Sequence, residues 1–367
     1  MPDRAVTAHT YSAPTVLPME LRRRRIIQTW LVIIGLTVIA MVVVGGATRM
    51  TNSGLSIVEW KPVTGVIPPL SEGQWLSEFE KYKQIPQYQE LNQGMSLGDF
   101  KFIYWWEWSH RLLGRLIGLV FALPLALFWW RGWLDRPLKW KLAGLLVLGG
   151  SQGALGWWMV ASGLSVRTDV SQYRLAMHMT LASAIFMAIV WVAASLGPRT
   201  ERGLVSASAR RLAFVLVPLV LLQIFLGGLV AGLDAGLSHN TWPLMDGSFI
   251  PPLGDLYVMH PAWVNHFENA MTVQFQHRMI AYLIVGLAVW QAVAMSRGST
   301  SAMTIQRSRL VLLATLLQAF VGISTLLLSV PLWAGLMHQL CAVVLLAIAT
   351  VHAQALSGPP EKAIRTA

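Results

Sequence analysis

Two short stretches place an imidazole at the mouth of a long apolar run. The first is Trp105-Trp106-Glu107-Trp108-Ser109-His110-Arg111-Leu112-Leu113-Gly114-Arg115. The second, Val273-Gln274-Phe275-Gln276-His277-Arg278-Met279-Ile280-Ala281, repeats the His-Arg pair, with Gln274 where the first has Glu107. Residues three apart share a helix face, so Glu107 and His110 are expected to point the same way. Two further histidines, His178 and His338, lie in later apolar runs. An ionisable side chain within an apolar helix is costly and by default marks function. Four at matched depth, in repeated pairs, argue against a merely structural role.

Two imidazoles on facing helices of a four-helix bundle suit the two axial positions of a haem iron. The edge of such a ring needs small residues beside it, and its propionates need cations. Gly114 and Gly118 continue the His110 face, and Ala281 stands at i+4 from His277. Arg111 and Arg278 follow the histidines directly and, with Arg115 or Arg174, are placed to pair with propionates. The competing account of these arginines, above all Arg115, is snorkelling to lipid headgroups. A bare metal such as zinc wants three or four converging donors, and each pair offers two. His239, His260 and His266 form a separate loop group that could make a metal site, although solvation or hydrogen bonding is the ordinary expectation for such histidines. His352 is out of register with the four, and His9 lies in the amino-terminal tail. Glu107 is ionisable where Gln274 is not, and chemistry on a bound porphyrin needs a proton donor or acceptor. The first pair therefore reads as the working site and the second as a cofactor-holding site. A plain ion pair of Glu107 with Arg111 or Arg115 is the alternative.

The elements that carry these residues are set by composition. Of 367 residues, 55% are hydrophobic and 12% charged, where a soluble chain has about a quarter charged. Runs of roughly 20 apolar residues recur. The chain reads as an all-α polytopic membrane protein with eight transmembrane helices, at about 26–46, 106–130, 139–160, 172–196, 209–231, 271–295, 306–328 and 333–355. Pro124 and Pro218 fall inside two of them. The basic stretches Arg22–Arg25, Arg131–Lys141, Arg199–Arg211, Arg297–Arg309 and the tail with Lys362 and Arg365 all fall on one side. The positive-inside rule makes that side cytoplasmic, so both termini are expected inside and the histidines toward the external, periplasmic face of an inner membrane. The formal net charge of +11 is accounted for by these clusters, which argues against nucleic acid as a partner. No cleavable signal peptide is expected, and the single cysteine, Cys341, excludes an intrachain disulfide.

The two halves read as repeats. Gly45-Gly46 is followed by Gly54-Leu55-Ser56, Trp60 and Ile67-Pro68-Pro69; Gly227-Gly228 is followed by Gly236-Leu237-Ser238, Trp242 and Ile250-Pro251-Pro252, with spacings that agree to within one residue. Gln152…Gly156 is echoed by Gln318…Gly322, and His178 by His338. Duplicated helix sets put functional sites at equivalent places. The division expected is a tail 1–25, a first four-helix bundle 26–198 with a long external loop 47–105, a second bundle 199–355 with an external loop 232–270, and a tail 356–367.

Together these residues resemble haem A synthase. The resemblance rests on Gly45-Gly46…Arg49-Met50-Thr51-Asn52-Ser53-Gly54-Leu55-Ser56, on Glu107-x-x-His110-Arg111, and on His178, His277 and His338 in place. It runs from about Leu31 to His352, and the long first loop is similar to the α-proteobacterial and mitochondrial form. The cysteine pairs of some bacterial relatives are missing, so a thiol-assisted step does not carry over. The resemblance implies a membrane oxidoreductase that oxidises the position-eight methyl of haem O to a formyl group by successive hydroxylations, giving haem A for terminal oxidases. It implies that His277 and His338 ligate a resident haem b, that His110 and His178 face the haem O substrate, and that Glu107 is the catalytic carboxylate. It leaves open the electron donor, the oligomeric state (a homo-oligomer included) and direct contact with the haem O-forming farnesyltransferase. The main rival is a quinol-linked dihaem electron carrier with no chemistry on the porphyrin. A haem or metal transporter is a third reading, which would favour broken helices near the midplane. If both His110 and His178 bind iron, no position on that iron is left for oxygen: either one ligand leaves during turnover, or the oxidant attacks the methyl without oxygen on that iron.

Overall fold

A computed structural model describes residues 18–197, 205–298 and 300–357. His9, Arg199, Lys362 and Arg365, and with them most of both expected tails, lie outside the described residues. The chain folds into helices α1 (Pro18–Met50), α2 (Glu72–Tyr82), α3 (Pro86–Glu90), α4 (Leu97–Trp130), α5 (Arg136–Ala161), α6 (Gln172–Leu196), α7 (Ala207–Gly232), α8 (Leu253–Leu256), α9 (Asn265–Glu268), α10 (Ala270–Arg297), α11 (Ala302–Leu327) and α12 (Leu332–Ala355), with no strand among the described residues. Seven of them, α1, α4, α6, α7, α10, α11 and α12, are long and apolar enough to cross a membrane, so this is a multi-pass membrane protein. The eighth expected span, α5, matches them in length with 26 residues. Its Gly149-Gly150-Ser151-Gln152-Gly153 run dilutes its apolar character.

The helices overrun the expected spans at their ends. Helix α1 starts at Pro18 and takes in Arg22 to Arg25, helped by the i,i+4 pair Glu20–Arg24 at 3.2 Å. Helix α4 starts at Leu97, where the Ser96 hydroxyl accepts from the backbone N–H of Asp99. The extra turns exist because Phe100, Ile103 and Tyr104 give them an apolar face, which packs on Trp75, Phe79 and Tyr82 of α2. That amphipathic helix is opened by a capping box between Ser71 and Gln74. Pro124 and Pro218 sit inside α4 and α7 without ending them.

Helix α1 packs on α4 and α6, and α5 bridges α4 and α6; likewise α7 packs on α10 and α12, and α11 bridges α10 and α12. The halves meet where α6 lies on α7 and where α12 lies on α1 and α6. Repeated positions make equivalent contacts across that seam. A Cβ on Gly46 would lie 3.0 Å from the Leu336 side chain, and one on Gly228 would lie 2.7 Å from Cα of Ala176. Arg49 donates to the backbone carbonyl of Ala231, its own repeat counterpart, and to Asp234 at 3.0 Å.

Candidate functional site

Each of the four histidines presses its ring against a glycine on the preceding long helix. His110 of α4 meets Gly45 of α1, His178 of α6 meets Gly156 of α5, His277 of α10 meets Gly227 of α7, and His338 of α12 meets Gly322 of α11. A Cβ on those glycines would lie 2.9 Å from Nε2 of His110, 2.9 Å from Cε1 of His178, 3.2 Å from Cε1 of His277 and 2.7 Å from Cε1 of His338. A side chain at any of them would displace the imidazole. His178, His277 and His338 stand within about two turns of the starts of α6, α10 and α12, whereas His110 stands more than three turns into α4.

Three of the rings are also held by a glutamine one turn before the glycine. The amide nitrogen of Gln152 lies 3.0 Å from Nδ1 of His178 and donates to the carbonyl of His178 at 3.0 Å. Gln223 does the same to His277 at 3.1 and 2.9 Å, and Gln318 to His338 at 3.2 and 3.1 Å. In all three the amide oxygen is buried with no partner. Each amide nitrogen thus grips its histidine twice, at the ring and at the residue's own carbonyl. A neighbouring side chain that fixes the ring's orientation is the usual support of a ligating histidine.

The geometry of the second pair fits one metal between two imidazoles. The His277 and His338 ring centroids are 6.4 Å apart, with the planes at 70°. With a metal–nitrogen bond of about 2 Å on each side, two opposed imidazoles have centroids roughly 6 Å apart. In the first pair, His178 lies within electrostatic reach of His110. Gly118, on the His110 face, has open space where a Cβ would stand. Gly114 does not: the methyl of Met41 lies 3.1 Å from its Cβ position. Met41 stands four residues before Gly45, where the other three sites have glutamine, and among the described residues neither ring nitrogen of His110 has a hydrogen-bond partner.

Glu107 and His110 do not act on one another through the face they were expected to share. Residues three apart are offset by about 60° around a helix. That is enough to turn His110 to α1 and Glu107 to the loop beyond it. The Glu107 carboxylate, 2% exposed, accepts from the Ser56 hydroxyl at 2.8 Å, the Ile57 N–H at 2.7 Å and Arg111 at 2.5 Å. Arg111 also donates to the carbonyls of Ile57 and Glu59. In the second half Gln274 donates to the carbonyls of Ala235 and Ser238 and accepts from Arg278, which donates to the carbonyl of His239. The Glu-for-Gln difference thus matches the polarity of the two loops, donors in the first and carbonyls in the second.

The arginines divide by what they have left to offer. Arg278 keeps Nε and Nη1 buried and unpaired, and Arg115 keeps Nη1, although its other donors hold Pro62 and Lys61. Arg111 is engaged as described, and Arg174 caps the carbonyl of Trp158 while lying 4.2 Å from that ring. An open pocket beside α4 is lined by Lys61, Glu78, Tyr104, Trp108, Arg111 and Arg115, and the Trp108 Nε1 is buried without a partner. Trp105 and Trp108 meet edge to face at 5.2 Å. Among the described residues no three His, Cys, Asp or Glu side chains converge as a metal cluster; His239 pairs with Asp246 and His266 lies against Tyr257. Cys341 is free and half-buried on α12.

The glutamine contacts have a trace in the sequence: the Gln-x3-Gly spacing of Gln152 and Gly156 repeats at Gln318 and Gly322, and Gln223 with Gly227 completes it.

A family model described as COX15-CtaA, cytochrome oxidase assembly protein, matches residues 28–350. The chain is 53% identical over 354 residues to the heme A synthase of Chelativorans sp. (strain BNC1), covering 96% of this chain and 97% of that one. It is 54% identical over 351 residues to the heme A synthase of Mesorhizobium japonicum, covering 95% of each, and 53% identical over 337 residues to that of Brucella ovis, covering 92% and 93%. With the model matched across nearly its whole length and more than half its residues shared with these relatives, the chain belongs to the COX15-CtaA family of cytochrome oxidase assembly proteins.

Proposed function

We propose that the chain is a haem A synthase, a membrane oxidoreductase that converts the position-eight methyl of haem O to a formyl group. The observation that carries this reading is the duplicated imidazole pair, each ring seated on a glycine, in a chain similar along its length to proteins named heme A synthase. Each of two hydroxylations takes two electrons from the methyl carbon to an external oxidant, giving first a hydroxymethyl group and then a gem-diol that loses water to leave the formyl group. Eight spans carry it, α5 included, as two four-helix rings: α1, α4, α5 and α6 around the substrate, and α7, α10, α11 and α12 around a resident haem b. Both termini lie in the cytoplasm and the histidines near the periplasmic face of the inner membrane, with domain limits as the sequence divides them.

In the second ring His277 and His338 would hold the haem iron, supported by Gln223 and Gln318, and Arg278 would offer its two unpaired N–H groups to a propionate. Haem b, once bound there, supplies one-electron transfer. In the first ring His110 and His178 bind the iron of haem O. Arg115, through its free Nη1, is better placed than Arg111 to meet a substrate carboxylate. Glu107 is the catalytic carboxylate; the rotatable Ser56 hydroxyl is the donor that can leave it to let it take up a proton.

Acid-acetone extraction of the purified protein, with mass analysis of the haems, tests the reading. Haem O, haem A or the hydroxymethyl intermediate beside haem b supports it. Haem b alone, with haem O supplied in the cell, overturns it. One observation favours the dihaem electron carrier instead, namely that Glu107 is fully engaged by protein donors. In that case Glu107→Gln leaves function intact.

A further inference from the structure

Three of the four imidazoles are held at Nδ1 by a glutamine, and one is not. The exception stands in the ring where the substrate is bound. Two ligands held equally would close both axial positions of the substrate iron, so an asymmetry there decides which one opens. We infer that Met41, in the place of the fourth glutamine, makes His110 the detachable ligand of the haem O iron, while His178, held by Gln152, stays bound. The inference rests on the haem A synthase reading.

A ligating imidazole is normally oriented by a hydrogen-bonded neighbour, and loss of that partner weakens metal binding by about 10–100-fold. Each glutamine ties its histidine at the ring and at the backbone carbonyl, and Met41 offers no such tie. Its methyl packs instead against Gly114, one turn along α4 from His110. The ring of His110 is therefore restrained on one side only, by the close approach of Gly45 at its Nε2. His277 and His338 both carry the glutamine, as a haem that only passes electrons requires of its two permanent ligands. Met41 is a positioning residue, acting through His110.

The test is carbon monoxide binding to the dithionite-reduced, haem-loaded protein, followed optically beside haem extraction. Wild type is expected to show a CO-reactive fraction corresponding to haem O, with the haem b fraction unreactive. Met41→Gln is expected to raise the CO concentration for half-saturation of that fraction about tenfold or more. Met41→Leu, which adds no amide, is expected to bind CO as wild type does, and Gln318→Met is expected to make the haem b fraction CO-reactive. A Met41→Gln protein that retains haem O and binds CO as wild type does would overturn the inference, and so would a loss of CO binding in Met41→Leu. If Met41→Gln does not fold, an unreactive haem b in Gln318→Met overturns it. A protein that holds no haem O at all sinks the haem A synthase reading, and the inference with it.

Discussion

At Glu107 a hydroxyl, a backbone N–H and a guanidinium converge on one buried carboxylate. Gln274 repeats the position with the opposite polarity toward its loop. Replacing Glu107 by Gln keeps the shape but offers N–H where the loop also offers N–H and O–H. It is expected to leave haem b bound while haem A accumulation stops; haem analysis of membranes from cells expressing the variant checks it, and normal haem A would remove the catalytic role. The ring–glycine contacts allow a second residue-scale test. Gly322→Val puts a branched side chain where even a Cβ lies 2.7 Å from the His338 ring. The low-spin haem b spectrum is expected to be lost or converted to a ligand-deficient form, while Gly144→Ala, in open space on α5, leaves it unchanged.

The loop before α4 is an element in its own right. Helix α2 buries Trp75, Phe79 and Tyr82 against α4, and a charge cluster of Glu59, Lys61, Glu78 and Lys81 closes its solvent side. Hydrogen bonds from Lys61 and then from Lys81 hold the Glu59 carboxyl below its ordinary value of 4.5. A depressed carboxylate contributes stability that is present above its unfolded value and lost as the pH falls through the lower folded one. Amide hydrogen exchange in residues 57–82 is therefore expected to stay slow at neutral pH and to quicken, beyond the intrinsic rate change, only below about pH 4.5. Protection that begins to fail near neutrality would show that this cluster does not hold the loop. Because Arg111 ties Ile57 and Glu59 to the turn carrying His110, the loop is coupled to the first imidazole site.

At the scale of the molecule, the halves are joined by close backbone approach. Gly228 lets α7 lie on α6 so tightly that a Cβ would meet Cα of Ala176 at 2.7 Å, and backbone cannot move aside as a side chain can. Gly228→Val is expected to cost about 1–3 kcal/mol through overpacking, read as a lower thermal midpoint in detergent. The same change at Gly144, where nothing lies within 4 Å, is expected to leave the midpoint nearly unchanged. Arg49 adds a polar tie from the end of α1 to Ala231 and Asp234. The repeat that placed Arg49 opposite Ala231 in sequence therefore places them in contact in space.

The sequence alone determined the helical, membrane-spanning character and singled out the four histidines that each meet a glycine of a neighbouring helix, because hydropathy, charge clusters and repeat spacing are properties of the chain read in order. It also determined the family, through Glu107-x-x-His110-Arg111 and its partners. Only the tertiary structure decided what each polar group touches. Glu107 and His110 are neighbours in sequence, yet they answer to different elements, a loop and α1, because 60° around a helix separates their targets. Gln223 is unremarkable in an apolar run until α7 is laid against α10 and its amide meets His277. The absence of a fourth glutamine became legible at Met41 only once three others were seen to hold a ring, since a hydrogen bond across two helices leaves no periodic trace in either of them.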